Sequence, residues 1–327
     1  MKQNWLPVAK SVACVRCPSL CSAPWTEAVP GGPVQSRDEG GERVTGSDDR
    51  TLLHADRRGA VLLLTLDGPR TRNAIGPDVY TELQTSIIAA GADPDIRAVV
   101  LTGAGGYFSS GGNVLALRDS ATRTLAEVTA NTDRLNGMIK AIVDGPIPVI
   151  AAVEGGAAGA GVGLALACDL IVAGEMAAFT VAHIRVGLSP DGGVTHFLSS
   201  ALPRQLALEM CLLGQPMPAA RLAQFGVVNT LTPQGGTLEA ALRLADRVAS
   251  GPPEATARIK HQITTAPTHD LATQLEIEAR AINLARFGTE AAEGLSAFIA
   301  KRRPDFAGAH RGTAGAAGRE SLNRGEN

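Results

Sequence analysis

The sequence has few aromatic residues and no excess of positive charge. Only 3% of its residues are Phe, Trp or Tyr, and 30 lysines and arginines are balanced by 32 aspartates and glutamates, for a formal charge of −2. Proteins that bind nucleic acids use clustered basic residues and aromatic rings that stack against bases. The composition therefore argues against nucleic acid, RNA included, as a partner.

Long uninterrupted apolar runs are also missing. The longest weakly charged stretch, residues 146–173, contains Glu154 and Asp169 and is broken by five glycines. A membrane-spanning helix needs about 20 consecutive apolar residues, and glycine disfavours a continuous helix. This stretch is predicted to be a buried strand, a loop and a buried helix, and we expect a cytoplasmic protein with no membrane partner.

The chain has five cysteines, an odd number. Cys168 and Cys211 lie in apolar helical surroundings and are predicted to be reduced core residues. Cys14, Cys17 and Cys21 have a CxxCxxxC spacing that could bind a metal through thiolates. No fourth ligand is near, and the flanking residues do not resemble a zinc ribbon. We therefore predict no metal site and no function for this cluster.

Both ends of the chain lack the periodicity of helices or strands. Residues 1–50 are rich in proline, glycine and serine, and we expect a disordered leader or a start codon assigned too far upstream. The basic, acid-poor beginning also leaves a targeting peptide open. Residues 307–327 are predicted to be a disordered tail. Mass spectrometry that finds a mature protein beginning at Met1 would contradict the misassigned start.

Between these ends, apolar strands alternate with helices, a pattern typical of an α/β fold with a largely parallel sheet covered on both faces. We divide this part into a core at 51–202 and a helical region at 203–306. Strands are predicted at residues 52–56, 61–66, 98–102, 149–153 and 170–173. Helices are predicted at residues 78–90, 122–143, 160–168, 203–213, 218–224, 237–249, 254–265, 270–286 and 289–301.

Three glycine-rich turns lie in the core, and the last one carries a carboxylate. They span residues 108–113, 155–161 and 187–193, and Asp191 lies in the third. Turns without bulky side chains let backbone N–H groups approach a ligand, and two N–H groups aimed at one point stabilise a developing oxyanion. A nearby carboxylate can carry a proton. Together these features predict enolate chemistry on an activated carbonyl compound.

Six motifs, in their order and spacing, resemble the crotonase (enoyl-CoA hydratase/isomerase) superfamily across residues 51–306. The resemblance implies an α/β fold of the crotonase (ClpP-like) type, a ββα spiral core that binds acyl-CoA thioesters, with a helical C-terminal region that forms homotrimers or hexamers (dimers of trimers). It implies no cofactor other than the coenzyme A of the substrate. The motifs lie at residues 66–75, 108–113, 148–155, 159–169, 187–193 and 293–302.

In this family two backbone N–H groups polarise the thioester carbonyl. By position these belong here to Gly112 and Ala160, and the dipole of the helix that starts near Ala160 would add to the stabilisation. Family hydratases use two glutamates, whose positions correspond to Gly163, which has no side chain, and His183. We therefore expect that the two-glutamate mechanism does not apply. His183 could shuttle a proton or could form part of the wall of the site.

Asp191 matches the position at which several isomerases of the family hold an acid/base aspartate. One carboxylate is sufficient for allylic isomerisation, because it can remove a proton from one carbon and return it to another. Burial would raise its pKa and make it a better base. The alternative is a helix cap, since Asp191 precedes a predicted helix. We favour catalysis and keep capping as a compatible role.

The resemblance also implies contacts with the substrate. The loop of residues 70–74 would meet coenzyme A, Lys301 would meet a phosphate, and Phe298 would line the site of a neighbouring subunit. Solvated charges are the alternative for the basic residues, and helix core is the alternative for Phe298. The predicted contacts are Arg70, Arg72, Asn73, Ala74, Ser110, Gly111, Asn113, Val114, Gly159, Gly161, Gly163, Phe298 and Lys301.

Within the superfamily, residues 110–113, 185–193 and 202–207 resemble a bacterial subgroup of aromatic degradation, the alternative-type oxepin-CoA hydrolases and epoxyphenylacetyl-CoA isomerases. We therefore expect an isomerase of aromatic or fatty acid catabolism. Two alternatives stay open: an enoyl-CoA hydratase that uses Asp191 or His183 with water, and a homologue that binds acyl-CoA without turnover.

Overall fold

The computed structural model describes residues 50–309, except for the side chain of Leu115, and these residues belong to one compact unit. The strands are β1 (Leu52–Arg58), β2 (Val61–Asp67), β3 (Ala98–Gly103), β4 (Val149–Val153), β5 (Gly156–Ala158), β6 (Leu170–Gly174), β7 (Ala178–Thr180), β8 (Met217–Pro218) and β9 (Thr230–Thr232). The helices are α1 (Pro77–Ala92), α2 (Val114–Ser120), α3 (Leu125–Asp144), α4 (Ala160–Ala167), α5 (Val194–Ala201), α6 (Arg204–Leu213), α7 (Ala219–Gln224), α8 (Thr237–Ala249), α9 (Pro253–Thr265), α10 (Leu271–Ala285) and α11 (Thr289–Ile299). The predicted leader, its cysteine cluster and most of the predicted tail lie outside the described residues.

The larger sheet has the order β1-β2-β3-β4-β6-β9. The hairpin β1–β2 is antiparallel, and every later pair in this sheet is parallel. A smaller sheet has the order β5-β7-β8. The α/β class and the largely parallel sheet are confirmed. The expectation of an almost entirely helical region after residue 203 misses β8 and β9, and β9 completes the larger sheet beside β6.

The larger sheet buries alternate side chains on its two faces, as the period of two in a strand requires. Leu64 and Leu101 belong to a large core that includes side chains of α1, α3 and α4. Leu63 and Val100 point to the other face, where small residues of α8 cover them. These α8 residues, four positions apart on one side of the helix, are Ala241, Ala245 and Ala249.

Most predicted elements are confirmed, with shifted ends. α3 begins at Leu125 and not at residue 122, because Thr124 forms a capping box with Glu127. The Glu127 N–H donates to Thr124 Oγ1 (3.3 Å), and the Thr124 N–H donates to the Glu127 carboxylate (2.8 Å). α2, β5 and β7 were not predicted.

A buried lysine ties α9 to the sheet. Lys260 Nζ donates to the carbonyl oxygens of Ile142 (2.7 Å) and Ile147 (2.9 Å) and to Asp169 Oδ2 (2.8 Å). Asp169 also accepts the Val149 N–H at 2.8 Å. Burial raises the pKa of Asp169, and the charge of Lys260 opposes that rise. Each polar group of the pair therefore has a partner, as a buried charge requires.

Two glutamates of α11 hold the C-terminal region in place. Glu290 is buried, and its carboxylate accepts two N–H groups of the first turn of α9, at 2.8 and 3.1 Å. Glu293 accepts both terminal nitrogens of Arg302 (2.6 and 2.8 Å) and the N–H of Asp305 (2.7 Å). The hydrogen bonds from Arg302 and Asp305 lower the pKa of Glu293 to about 2.

Candidate active site

Three segments that follow neighbouring strands form the candidate site. β2, β3 and β4 run in the same direction, so the segments after them lie at the same edge of the sheet. The Ile75 N–H donates to Gly111 O (2.8 Å) and joins the first two segments. The Ala158 N–H donates to Ser109 O (2.9 Å) and joins the third. The glycine-rich turns are thus fixed to one another by backbone hydrogen bonds.

The two turns predicted to carry the oxyanion donors lie in direct contact. Gly111 has a φ of +83°, and a Cβ atom on it would lie 2.5 Å from Ala158 O and 2.8 Å from Ala160 N. Any side chain here would push the turns apart, so this approach requires glycine. The structure therefore brings residues 108–113 and 155–161 together.

Gly112 and Ala160 each present a backbone N–H group near this contact. Within residues 50–309, neither N–H donates to an acceptor, although Ala160 is buried. Ala160 is the first residue of α4, where N–H groups have no partner inside the helix and the helix dipole is positive. Buried N–H groups without a partner are rare, and this pair is suited to bind a negatively charged oxygen.

Asp191 does not cap the helix that follows it. α5 begins after Gly193, and no side chain accepts a hydrogen bond at that cap. Instead, Asp191 Oδ1 lies 3.0 Å from His183 Nε2. The Asp191 side chain is 45% exposed, while that of His183 is only 10% exposed. The capping role expected as compatible is therefore wrong for the side chain, and the two side chains predicted to be catalytic form a pair.

The packing around Gly163 leaves no room for a glutamate at this position. A Cβ atom on Gly163 would lie 2.5 Å from Gly192 O and 3.1 Å from Gly192 C. The loop that carries Asp191 therefore packs directly on α4, the helix that Ala160 begins. Gly163 itself is buried beneath this loop, so the structure does not support the predicted contact between Gly163 and substrate.

Tyr80 lies near Asp191 and was not predicted as a site residue. It is buried in α1, and its hydroxyl donates to Ile75 O at 3.3 Å. Burial and the negative charge of Asp191 raise the pKa of Tyr80 to about 12. In the sequence, Tyr80 follows the apolar period of an amphipathic helix, so only core packing could have been inferred from it.

The predicted coenzyme A loop is built around a buried asparagine. Asn73 Oδ1 accepts the Gly68 N–H (2.8 Å), and its Nδ2 donates to Ala104 O (2.9 Å) and Tyr107 O (2.6 Å). Asn73 is fully buried, so its side chain supports the loop and the predicted ligand contact is not supported there. The Arg72 guanidinium lies 5.5 Å from the centre of the Tyr107 ring.

The remaining predicted contacts fall into three groups. Three lie in or beside the contacting turns: Ser110 Oγ donates to Thr71 O (2.7 Å), Gly159 precedes α4, and Asn113 Oδ1 accepts the Ala116 N–H (3.3 Å) at the start of α2. The exposed members of the predicted set, whose ligand contacts stay predictions, are Arg70, Val114, Phe298 and Lys301. Of the other two members, Ala74 is partly exposed in the first segment of the site, and Gly161 lies in the first turn of α4, where it packs against Ser109.

The prediction of reduced core cysteines is confirmed for Cys168 and in part for Cys211, which packs at the edge of the core. Cys168 is a buried free thiol that donates to Leu164 O at 3.4 Å, and Cys211 is a half-buried free thiol. Burial raises the pKa of both thiols. The described part of the chain contains no cluster of three or more potential metal ligands. It also contains no helix with the length and apolar character needed to cross a membrane.

Known proteins share this fold. A solved structure of an enoyl-CoA hydratase from Polaromonas sp. JS666 is 40% identical, with a TM-score of 0.76, over 77% of this chain and 98% of that one. A 2,3-dehydroadipyl-CoA hydratase of Escherichia coli K12 is 36% identical over 78% of this chain and 98% of its own length. A 1,2-epoxyphenylacetyl-CoA isomerase of the same organism is 33% identical over 79% and 98%.

The family model described as enoyl-CoA hydratase/isomerase matches residues 56–309, which include every turn of the candidate site. Together with the similarity to hydratases and an isomerase over nearly their whole length, this match confirms the resemblance seen in the sequence motifs. The chain belongs to the enoyl-CoA hydratase/isomerase family of the crotonase superfamily.

Proposed function

We propose that the protein is an acyl-CoA isomerase that uses Asp191 as its single acid/base. The thioester oxygen would bind between the N–H groups of Gly112 and Ala160. Asp191 would take a proton from C2 of a 3-enoyl-CoA, and the electron pair left behind would delocalise onto the thioester oxygen as a dienolate. The same carboxyl group would then protonate C4. The carbonyl would re-form, and the double bond would lie between C2 and C3.

The packing of Gly192 on Gly163 carries this proposal. This packing brings the loop of Asp191 against α4, the helix whose first residue carries one of the two proposed oxyanion donors. It also leaves no room for a glutamate at residue 163, one of the two carboxylates that family hydratases use. The proposed reaction is a proton transfer, so it needs no cofactor beyond the coenzyme A of the substrate.

Hydration is the second candidate function. Two of the similar proteins carry hydratase names and one carries an isomerase name, so the comparisons support either chemistry. The pairing of His183 with Asp191 favours a hydratase only if the pair holds a water molecule in place of the two glutamates.

For the substrate, we propose an aromatic acyl group. The similarity to the 1,2-epoxyphenylacetyl-CoA isomerase supports this choice.

The last helices support a homotrimer or a dimer of trimers. α10 has no buried residue in the single chain, and its apolar side chains are exposed together with those of α11. Exposed apolar patches of this kind mark protein–protein interfaces. Analytical ultracentrifugation of the purified protein tests this part, and a monomer at micromolar concentration would contradict it. The exposed apolar residues are Leu271, Leu275, Ile282, Leu284, Phe287, Leu295, Phe298 and Ile299.

The first experiment compares turnover of a 3-enoyl-CoA with that of crotonyl-CoA, followed by the absorbance of the conjugated thioester. We expect isomerisation without hydration, and we expect Asp191→Asn to lower kcat by about 10²–10⁴-fold, the usual contribution of general acid–base catalysis. Asp144→Asn, at the exposed end of α3, is the matched control. Brisk hydration of crotonyl-CoA would favour the second candidate. If neither substrate is turned over, a specialised aromatic substrate or a homologue without turnover is favoured.

A further inference from the structure

We propose that His183 is a positioning residue for Asp191: it holds Oδ1 of the carboxylate, leaves Oδ2 to carry the substrate proton, and takes no proton itself. This inference rests on the proposed role of Asp191. The Nε2–Oδ1 distance is 3.0 Å, within the normal range for a hydrogen bond. Among the described residues, no donor contacts Asp191 Oδ2. One carboxylate oxygen is therefore fixed and the other is available.

The hydrogen bond determines which ring nitrogen of His183 carries the proton. An ionised carboxylate only accepts hydrogen bonds, so the hydrogen must lie on Nε2. In the neutral imidazole, Nδ1 then has no hydrogen. Nδ1 is buried and has no hydrogen-bond partner in the described part of the chain. The ring therefore makes one polar contact, and that contact is with Asp191.

Among the described residues, Nδ1 of His183 has no acceptor for a second ring hydrogen. An imidazolium has a hydrogen on each nitrogen, so Nδ1 would become a buried donor without an acceptor, which is unfavourable. In Ser-His-Asp enzymes the aspartate accepts a hydrogen bond from the second nitrogen of a histidine that takes the proton. Here the second nitrogen has no such partner. In those enzymes the aspartate orients the histidine, whereas here the histidine orients the aspartate.

No other described side chain replaces His183 as the partner of Asp191. Tyr80 is the other ionisable group near the carboxylate, but its hydroxyl donates to Ile75 O. Asp191 is partly exposed and belongs to the segment between β7 and α5, so without His183 its carboxylate would rotate among several orientations. A misplacement of about 1 Å at a reacting group can cost about 10²-fold in rate.

The test compares His183→Gln with His183→Leu in the full-length protein. Glutamine keeps an N–H donor near the position of Nε2 but cannot act as a proton carrier, whereas leucine keeps bulk without a donor. We expect His183→Leu to lower kcat on a 3-enoyl-CoA by about 10–100-fold with KM nearly unchanged, and His183→Gln to restore most of it. Equal loss in both variants, or no loss in His183→Leu, would overturn the proposal.

The double variant Asp191→Asn/His183→Leu separates this inference from the proposed function. If His183 acts through Asp191, the double variant is no slower than Asp191→Asn alone. If Asp191→Asn keeps wild-type turnover, the proposed role of Asp191 fails. If Asp191→Asn is inactive while His183→Leu is unaffected, only the role of His183 fails.

A second measurement does not depend on turnover. In protein labelled with ¹⁵N-histidine, the signals of His183 can be identified among the six histidines because His183→Gln lacks them. We expect a ring hydrogen on Nε2, bonded to Asp191, and none on Nδ1. An imidazolium, or a ring with its hydrogen on Nδ1, would contradict the proposed arrangement even if no substrate were turned over.

Discussion

Gly163→Ala tests whether the loop of Asp191 sits against α4 as the structure shows. The new Cβ atom would lie 2.5 Å from Gly192 O, so that oxygen must move by about 0.5–1 Å to restore normal packing. Alanine favours a helix over glycine by about 1 kcal/mol, whereas overpacking costs about 1–3 kcal/mol. The net loss is about 0–2 kcal/mol, or a decrease in Tm of up to about 8 °C for a domain of this size.

The larger effect is expected on turnover. Gly192 is bonded directly to Asp191, and a displacement of about 1 Å in a reacting group can lower the rate by about 10²-fold. The assay is kcat on a 3-enoyl-CoA, with Tm measured on the same sample. Gly76→Ala is the control, because no atom lies within 4 Å of its Cβ position. If Gly163→Ala keeps kcat within about three-fold of the wild type, the contact does not position Asp191.

Three further changes test the scaffold, each by urea or thermal unfolding. Lys260→Met leaves the Asp169 carboxylate and two carbonyl oxygens without the donor that binds them, and should cost about 3–5 kcal/mol, with part of the loss recovered by adding Asp169→Asn; a loss below about 1 kcal/mol would contradict a stabilising role for the pair. Asn73→Asp replaces a donor that binds two carbonyl oxygens with a charged acceptor, and should cost about 3 kcal/mol or more. The folded pKa of Glu293 is about 2, below its ordinary value of 4.5, so its stabilisation is complete above about pH 4.5 and is lost as the pH falls towards 2. The Tm difference between the wild type and Glu293→Gln should therefore shrink over that range, and a constant difference would refute the role of Arg302 at this site.

The elements with strong apolar periodicity could be predicted from the sequence, and the short ones could not. The bounds predicted for α8 agree with the structure, and β3 differs by one residue, because α8 buries every fourth residue on one side and β3 is a continuous run of buried side chains. β5 and β7 have three residues each, and β5 consists of glycine and alanine. Both segments are strands because neighbouring segments pair with them, and the local sequence carries no signal for such pairing.

The candidate site shows the same division between local and tertiary signals. The contact between the glycine-rich turns at residues 108–113 and 155–161 could be inferred from motifs, because each of these two turns follows a predicted strand. The pairing of His183 with Asp191 could not, since the two residues are joined by an irregular segment whose path depends on packing. The capping hypothesis for Asp191 is wrong because α5 starts at Val194, one residue after its glycine cap. Asn73 was predicted to be a ligand contact from the family resemblance. Its hydrogen bonds to Ala104 O and Tyr107 O join separate loops, and no local pattern in the sequence indicates such bonds.

The strand order of the larger sheet has a consequence for synthesis of the chain on the ribosome. β1, β2, β3, β4, β6 and β9 neighbour one another in space in the order in which they are translated. Each emerging strand can therefore join the free edge of the sheet already made, and none has to enter between two paired strands. α8 is translated after β9, so the apolar face it covers stays open until residue 249 has left the exit tunnel. That late closure makes the nascent chain most prone to aggregation just before α8 emerges.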